Sequence, residues 1–111
     1  MLTLSAATRI YLAVRPVDLR GSFNALSRLA QQVLQQDPLS GHWFAFTNRR
    51  RNRVKILWWD GSGLAVYAKR LERGKFSWPL SEHDSATLRS EELTALICGL
   101  EVRAKTNWYR R

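Results

Sequence analysis

The chain has 111 residues, a formal net charge of +9, one cysteine and 11% aromatic residues. That length suits one domain with one core and no disulfide support. No run approaches the ~20 apolar residues of a membrane span, and the N-terminus lacks the charged start and apolar stretch of a secretion signal, so the cytoplasm is the expected compartment.

The first element is a short strand over Thr8 to Val14, rich in Ile10, Tyr11 and Val14, which ends where Pro16 restricts its neighbour. A helix follows, with Asp18 as its expected N-cap. Leu19, Phe23, Leu26, Ala30, Val33 and Leu34 recur at helical spacing until Asp37-Pro38 breaks the pattern. From Trp43 the periodicity changes. The runs Trp43 to Thr47, Arg53 to Trp59, Leu64 to Leu71 and Lys75 to Trp78 are aromatic and β-branched, and turn-forming segments at Asn48 to Asn52, Asp60 to Gly63 and Glu72 to Gly74 separate them.

After Pro79 comes a polar connection, then a second helix with Ser90 as expected N-cap and Glu91 and Glu92 in its first turn. Leu93, Leu96, Ile97 and Leu100 form its apolar stripe, and Gly99 closes it. Cys98, within Leu96-Ile97-Cys98, reads as a buried structural thiol. A basic tail from about Val102, expected to be flexible, carries Arg103, Lys105, Arg110 and Arg111 beside Trp108 and Tyr109. The expected fold is a single α+β domain over residues 1–111. It has an antiparallel meander of about four strands, with room for the N-terminal strand, and both helices against one face.

Charge is not evenly spread. Nine basic and two acidic residues lie between Trp43 and Trp78, giving that stretch +7 of the total. A tight connection at Asp60 to Gly63 pairs odd positions of one strand with even positions of the next, which sorts the faces. Val54, Ile56, Trp58, Ala65, Tyr67 and Leu71 then share a core face with Lys69. The other face carries Leu57, Trp59, Leu64 and Val66 near the Asp-Gly turn, and Arg53, Lys55 and Arg70 at the far end. The arginine loop Arg49-Arg50-Arg51 and the turn Glu72 to Gly74 with Arg73, followed by Lys75, fall at that same end. Guanidinium forks match phosphate oxygens, and Trp59 can stack on a base, so Arg49, Arg50, Arg51, Arg53, Lys55, Lys69, Arg70, Arg73, Lys75 and Trp59 are the candidate DNA-binding residues. A solvated basic face is the plainer reading of the same charge. Trp59 can equally anchor a protein partner or lie under the tail.

Catalytic signals are weak. His42 and His83 are far apart, the polar loop Glu82-His83-Asp84 is the nearest approach to a metal-ligand cluster, and Asp18, Asp37 and Asp60 all have cap or turn roles. No catalytic residue, metal or cofactor is expected.

Five ordered segments carry a resemblance: Arg15-Pro-Val-Asp-Leu-Arg-Gly; Asp37-Pro-Leu-Ser-Gly; Phe46-Thr-Asn-Arg-Arg-Arg-Asn-Arg-Val-Lys-Ile-Leu; Trp59-Asp-Gly-Ser-Gly; and Lys69-Arg-Leu-Glu-Arg-Gly-Lys-Phe-Ser-Trp-Pro. Over roughly Arg15 to Gly99 the chain closely resembles the TnpB-type accessory proteins, or second open reading frame products, of the insertion-sequence-sixty-six family of bacterial transposable elements. The resemblance implies a role in transposition beside a separate transposase that carries the acidic catalytic residues. The segment Val102 to Arg111 departs from the pattern. The expected partners are DNA, either element ends or any sequence, and the transposase and other proteins of the element. The rival expectation is a protein-interaction adaptor that docks the transposase through Trp59, Trp43 and the Asp-Gly turn without touching DNA.

Overall fold

Trp43–Thr47 is buried at all five positions, and a strand covered on both faces needs a layer above and a layer below. The computed structural model describes residues 7–99 and supplies both layers. The elements are β1 (Ile10–Ala13), α1 (Phe23–Gln32), β2 (Trp43–Thr47), β3 (Arg53–Trp59), β4 (Leu64–Arg70), β5 (Ser85–Leu88) and α2 (Ser90–Ile97). They build an α+β fold on one five-stranded sheet of order β4-β3-β2-β1-β5.

The connections explain the order. β1 and β2 are parallel neighbours, with Ile10 opposite Trp43, and parallel neighbours need a crossover, which α1 provides. β2, β3 and β4 then form the antiparallel meander through two tight connections. β5 returns antiparallel to β1, with Ala13 opposite Ser85.

The β3–β4 pair has the expected parity: Ile56 faces Tyr67, Trp58 faces Ala65 and Arg53 faces Arg70. The helices, contrary to expectation, do not share one face. Leu93 and Leu96 of α2 join Ile10, Leu12, Trp43, Val54, Ile56, Phe76 and Trp78 on one side. Leu26 and Ala30 of α1 join Ala13, Phe44, Phe46 and Leu57 on the other. The apolar end of the face opposite the expected core face is thus a second core. Its Leu57 is fully buried, while Leu64 and Val66 pack beside it.

Other expectations need correction. Lys75 to Trp78 is not a strand; its residues pack by side chain, with the Trp78 indole Nε1–H donating to the Ala13 carbonyl at 2.9 Å. The missing strand is β5, inside the polar connection. α1 starts five residues after Asp18, whose carboxylate instead accepts from the Arg20 backbone N–H at 2.9 Å and pairs with the Arg20 guanidinium at 2.8 Å. α2 is capped by Arg89 rather than Ser90, and the Glu92 carboxylate accepts from the Arg89 N–H at 2.8 Å. Gly99 does close the helix, with a φ of +73° and an N–H that donates to Leu96. Cys98 is exposed, not a core thiol, because it lies on the outer side of the last turn. Leu100 and the basic tail lie outside the described residues.

Candidate nucleic-acid interface

The candidate interface is the end of the sheet where β1, β2 and β4 finish and β3 and β5 begin. Two basic loops meet there, and the main chain joins them. The Leu71 N–H donates to the Asn52 carbonyl at 2.8 Å, and the Phe76 N–H donates to the Arg51 carbonyl at 2.7 Å. The turn after β4 is therefore fastened to the arginine loop between β2 and β3.

The loop itself is built around Asn48. Its side-chain oxygen accepts from the N–H groups of Asn52 (3.2 Å) and Arg53 (3.1 Å), and its amide donates to the Asn52 side chain at 2.8 Å. Arg51 closes the turn in the left-handed region, φ +59°, with its N–H donating to the Asn48 carbonyl. Beneath the loop, the buried Thr47 hydroxyl donates to the Arg53 carbonyl at 2.7 Å. These bonds fix the backbone that presents the arginines. Sequence reading identified Asn48 and Asn52 only as turn markers, although their position on either side of three arginines was the available signal.

The candidate cations divide into two groups. Arg49, Arg50, Arg53, Arg70, Arg73 and Lys75 are exposed at this end. Arg53 and Arg70 stand directly opposite each other across β3 and β4, an unfavourable like-charge pair unless an anion lies between them. Arg70 also pairs with Glu72 at 3.1 Å. Among the described residues, Arg49, Arg50, Arg53, Arg73 and Lys75 enter no ion pair. Arg51 is half-buried, and its Nε is enclosed without a hydrogen-bond partner.

Lys55 and Lys69 also hold parts of the fold together. The Lys55 ammonium donates to the carbonyls of Leu19 (2.7 Å) and Gly21 (2.9 Å), which ties the loop before α1 to β3. The Lys69 ammonium donates to the Ile97 carbonyl at 2.8 Å, at the C-terminal end of α2 where the helix dipole favours a cation. Trp59 lies outside the cluster. It is half-buried at the opposite end of β3 from Arg53, roughly 20 Å away at about 3.3 Å per residue. Trp43, named for the adaptor surface, is buried and stacked on Trp58 with ring centroids 4.5 Å apart.

The end also holds cations that sequence reading overlooked. Arg15 and Arg20 follow β1, and the Val17 N–H donates to the Thr47 carbonyl, which brings their loop beside the arginine loop. Each meets an acid: Arg15 with Asp84 at 3.6 Å and Arg20 with Asp18 at 2.8 Å. The Arg20 side chain, then its backbone N–H, holds the Asp18 carboxyl down to about 2. Open depressions lie among the described residues here. One of about 210 Å³ is lined by Arg53, Val54, Lys55, Ala68, Lys69 and Arg70, and one of about 260 Å³ by Pro16, Val17, Asp18 and Arg49.

Among the described residues no three His, Cys, Asp or Glu side chains gather closely enough to hold a metal ion, and Glu82-His83-Asp84 does not form such a group. No helix among them is long and apolar enough to cross a membrane.

Comparison with known proteins adds the setting. Residues 8–107 match a protein family described as IS66 Orf2 like protein. Two proteins of Sinorhizobium fredii (strain NBRC 101917 / NGR234), both uncharacterized, are similar along nearly the whole chain. One, y4hO, is 33% identical over 110 residues, covering 99% of this chain and 96% of its own length. The other, y4jC, is 37% identical over 101 residues, covering 91% and 86%. No solved structure matches. The family match runs eight residues beyond Gly99, so the segment from Val102 follows the family pattern as far as residue 107 rather than departing from it.

Proposed function

The chain belongs to the family of IS66 Orf2-like proteins, accessory proteins of an insertion sequence, and on that premise we propose that it is a non-catalytic DNA-binding protein whose basic end grips the phosphate backbone of duplex DNA. The observation that carries the reading is the pair of main-chain hydrogen bonds from Leu71 and Phe76 to the arginine loop. They bring together the two loops that carry Arg49, Arg50, Arg73 and Lys75, beside the facing pair Arg53 and Arg70. With the backbone already braced, only the side-chain rotamers of these guanidinium groups remain to be ordered when they meet phosphate oxygens.

The separation of Trp59 from this cluster favours a duplex over a single strand. Single-strand binders interleave cations with aromatic platforms, whereas Phe46, Phe76 and Trp78 near this end are buried. Neither helix presents a basic face for the major groove: α1 has one cation, Arg28, and α2 has none. The expected binding is therefore of low sequence specificity. The carboxylates considered for catalysis have structural occupations, Asp18 with Arg20 and Asp60 with its own turn, which supports a non-enzymatic role.

Replacing Arg49, Arg50 and Arg73 together by alanine tests the reading, and leaves Arg51, whose backbone holds Phe76, in place. If all three arginines touch phosphates, each accounts for ~0.9 of the slope of log affinity against log salt. The variant should melt as the parent does and lose roughly 2.7 from that slope. A folded variant with the parent's affinity and slope would leave the basic end as a solvated face, and the transposase-docking adaptor would replace the proposal.

A further inference from the structure

The two edges of the sheet are not alike. β5 is four residues long, exposes Ser85 and Thr87, and lies between Asp84 and Arg89, the short polar edge that discourages further pairing. β4 has seven residues, each paired with β3 in an unbroken register, with no proline, glycine or bulge. Its only charges are the last two positions, Lys69 and Arg70, and Lys69 is tied to α2. Leu64 to Ala68 is an uncharged edge.

The direction of its free backbone groups follows from the ladder. Leu71 bonds inward to Asn52, and at the other end Gly63 accepts from Asp60. Bonded pairs alternate along an antiparallel ladder, so odd-numbered residues of β4 bond to β3 and the N–H and C=O groups of Leu64, Val66, Ala68 and Arg70 point away from the sheet.

We propose that this edge pairs antiparallel with β4 of a second copy of the chain about a two-fold axis at Val66, joining two five-stranded sheets into one. The strand is self-complementary only in that orientation. Leu64 then faces Ala68 of the second copy, with roughly six main-chain hydrogen bonds between Leu64, Val66 and Ala68 of the two copies. Arg70 stands over Ser62 of the second copy, beside Asp60, whose carboxyl is held below its ordinary range chiefly by the N–H groups of Ser62 and Gly63 and so keeps its charge. A parallel pairing would set Lys69 and Arg70 against the same residues instead. Half-buried Leu64 and Val66 on the α1 side, and Ala65 and Tyr67 on the α2 side, gain cover from their counterparts. The two basic ends of the dimer point in opposite directions. The assembly itself does not depend on what those ends bind.

Sedimentation of the full chain at about 100 µM tests this, in about 0.3 M salt to screen the repulsion between two chains of +9. The expected mass is twice the 12.9 kDa of one chain. Ala68→Pro removes an outward N–H and no bond to β3, and Val66→Lys sets two ammonium groups together at the axis. Either variant, with its melting transition intact, should sediment at half the parent mass. A monomeric parent overturns the proposal, whether another protein or nothing takes the edge, and so does a dimer that survives both folded variants.

Discussion

Replacing Lys55 by methionine separates a structural cation from a DNA-binding one. Methionine keeps an unbranched stem against the sheet and removes the ammonium that donates to Leu19 and Gly21 at 2.7 and 2.9 Å. Hydrogen bonds to a charged donor contribute about 1.5–3 kcal/mol each when fully buried. Lys55 is half-buried, so water can reach part of what is exposed, and about 1 kcal/mol per bond is the appropriate figure, ~2 kcal/mol in all. With an unfolding entropy of about 2.1 cal/mol/K per residue, a chain of 111 residues has ~0.2 kcal/mol/K, so the melting temperature should fall by ~9 °C. Thermal denaturation followed by circular dichroism measures it. Below the transition, duplex affinity should keep the parent's salt slope. A melting temperature within ~2 °C of the parent, with the slope reduced by ~0.9, would make Lys55 a phosphate ligand and refute the assignment.

Trp78→Phe deletes the buried indole donor to the Ala13 carbonyl and leaves that oxygen without its partner, at a cost of about 2 kcal/mol in urea denaturation; a loss below ~0.5 kcal/mol would contradict the bond's role. Asp18 governs part of the acid stability. Its folded pKa of about 2 lies below the ordinary 3.8, so its contribution is present above about pH 4 and lost as pH falls towards 2. The melting-temperature gap between the parent and Asp18→Asn should be constant from pH 7 to about 5 and close below pH 4, and a gap that widens with acid would reverse the sign. Leu26→Ala and Leu96→Ala should each cost about 3 kcal/mol, because each empties a different core; a surface-like cost at either site would deny that helices cover both faces.

The change from helical to alternating periodicity at Trp43 and the tight Asp60 to Gly63 turn made the meander and its facing pairs readable, because strand parity follows from the turn alone. The three layers were less plain. Trp43 to Phe46 is apolar on both faces, the mark of a central strand, yet the alternating β3 beside it suggested a single buried face. β5 escaped notice because Ser85-Ala86-Thr87-Leu88 buries only Leu88 and is held by backbone pairing with β1. Lys75 to Trp78 alternates like a strand, with Phe76 and Trp78 buried, but its one bond to the arginine loop does not extend into a ladder. In the candidate site, local sequence order placed the two basic loops together. It could not reveal that Lys55 and Lys69 reach carbonyls 36 and 28 residues away, since those oxygens are positioned only by the finished fold.

Salt titration of the unmodified protein on duplex DNA bears most directly on the DNA-binding account. If about four of the exposed cations at the basic end touch phosphates, log affinity falls against log salt with a slope of roughly −3 to −4, and two duplexes of unrelated sequence give the same line. A slope near zero, or no association at low salt, would contradict it.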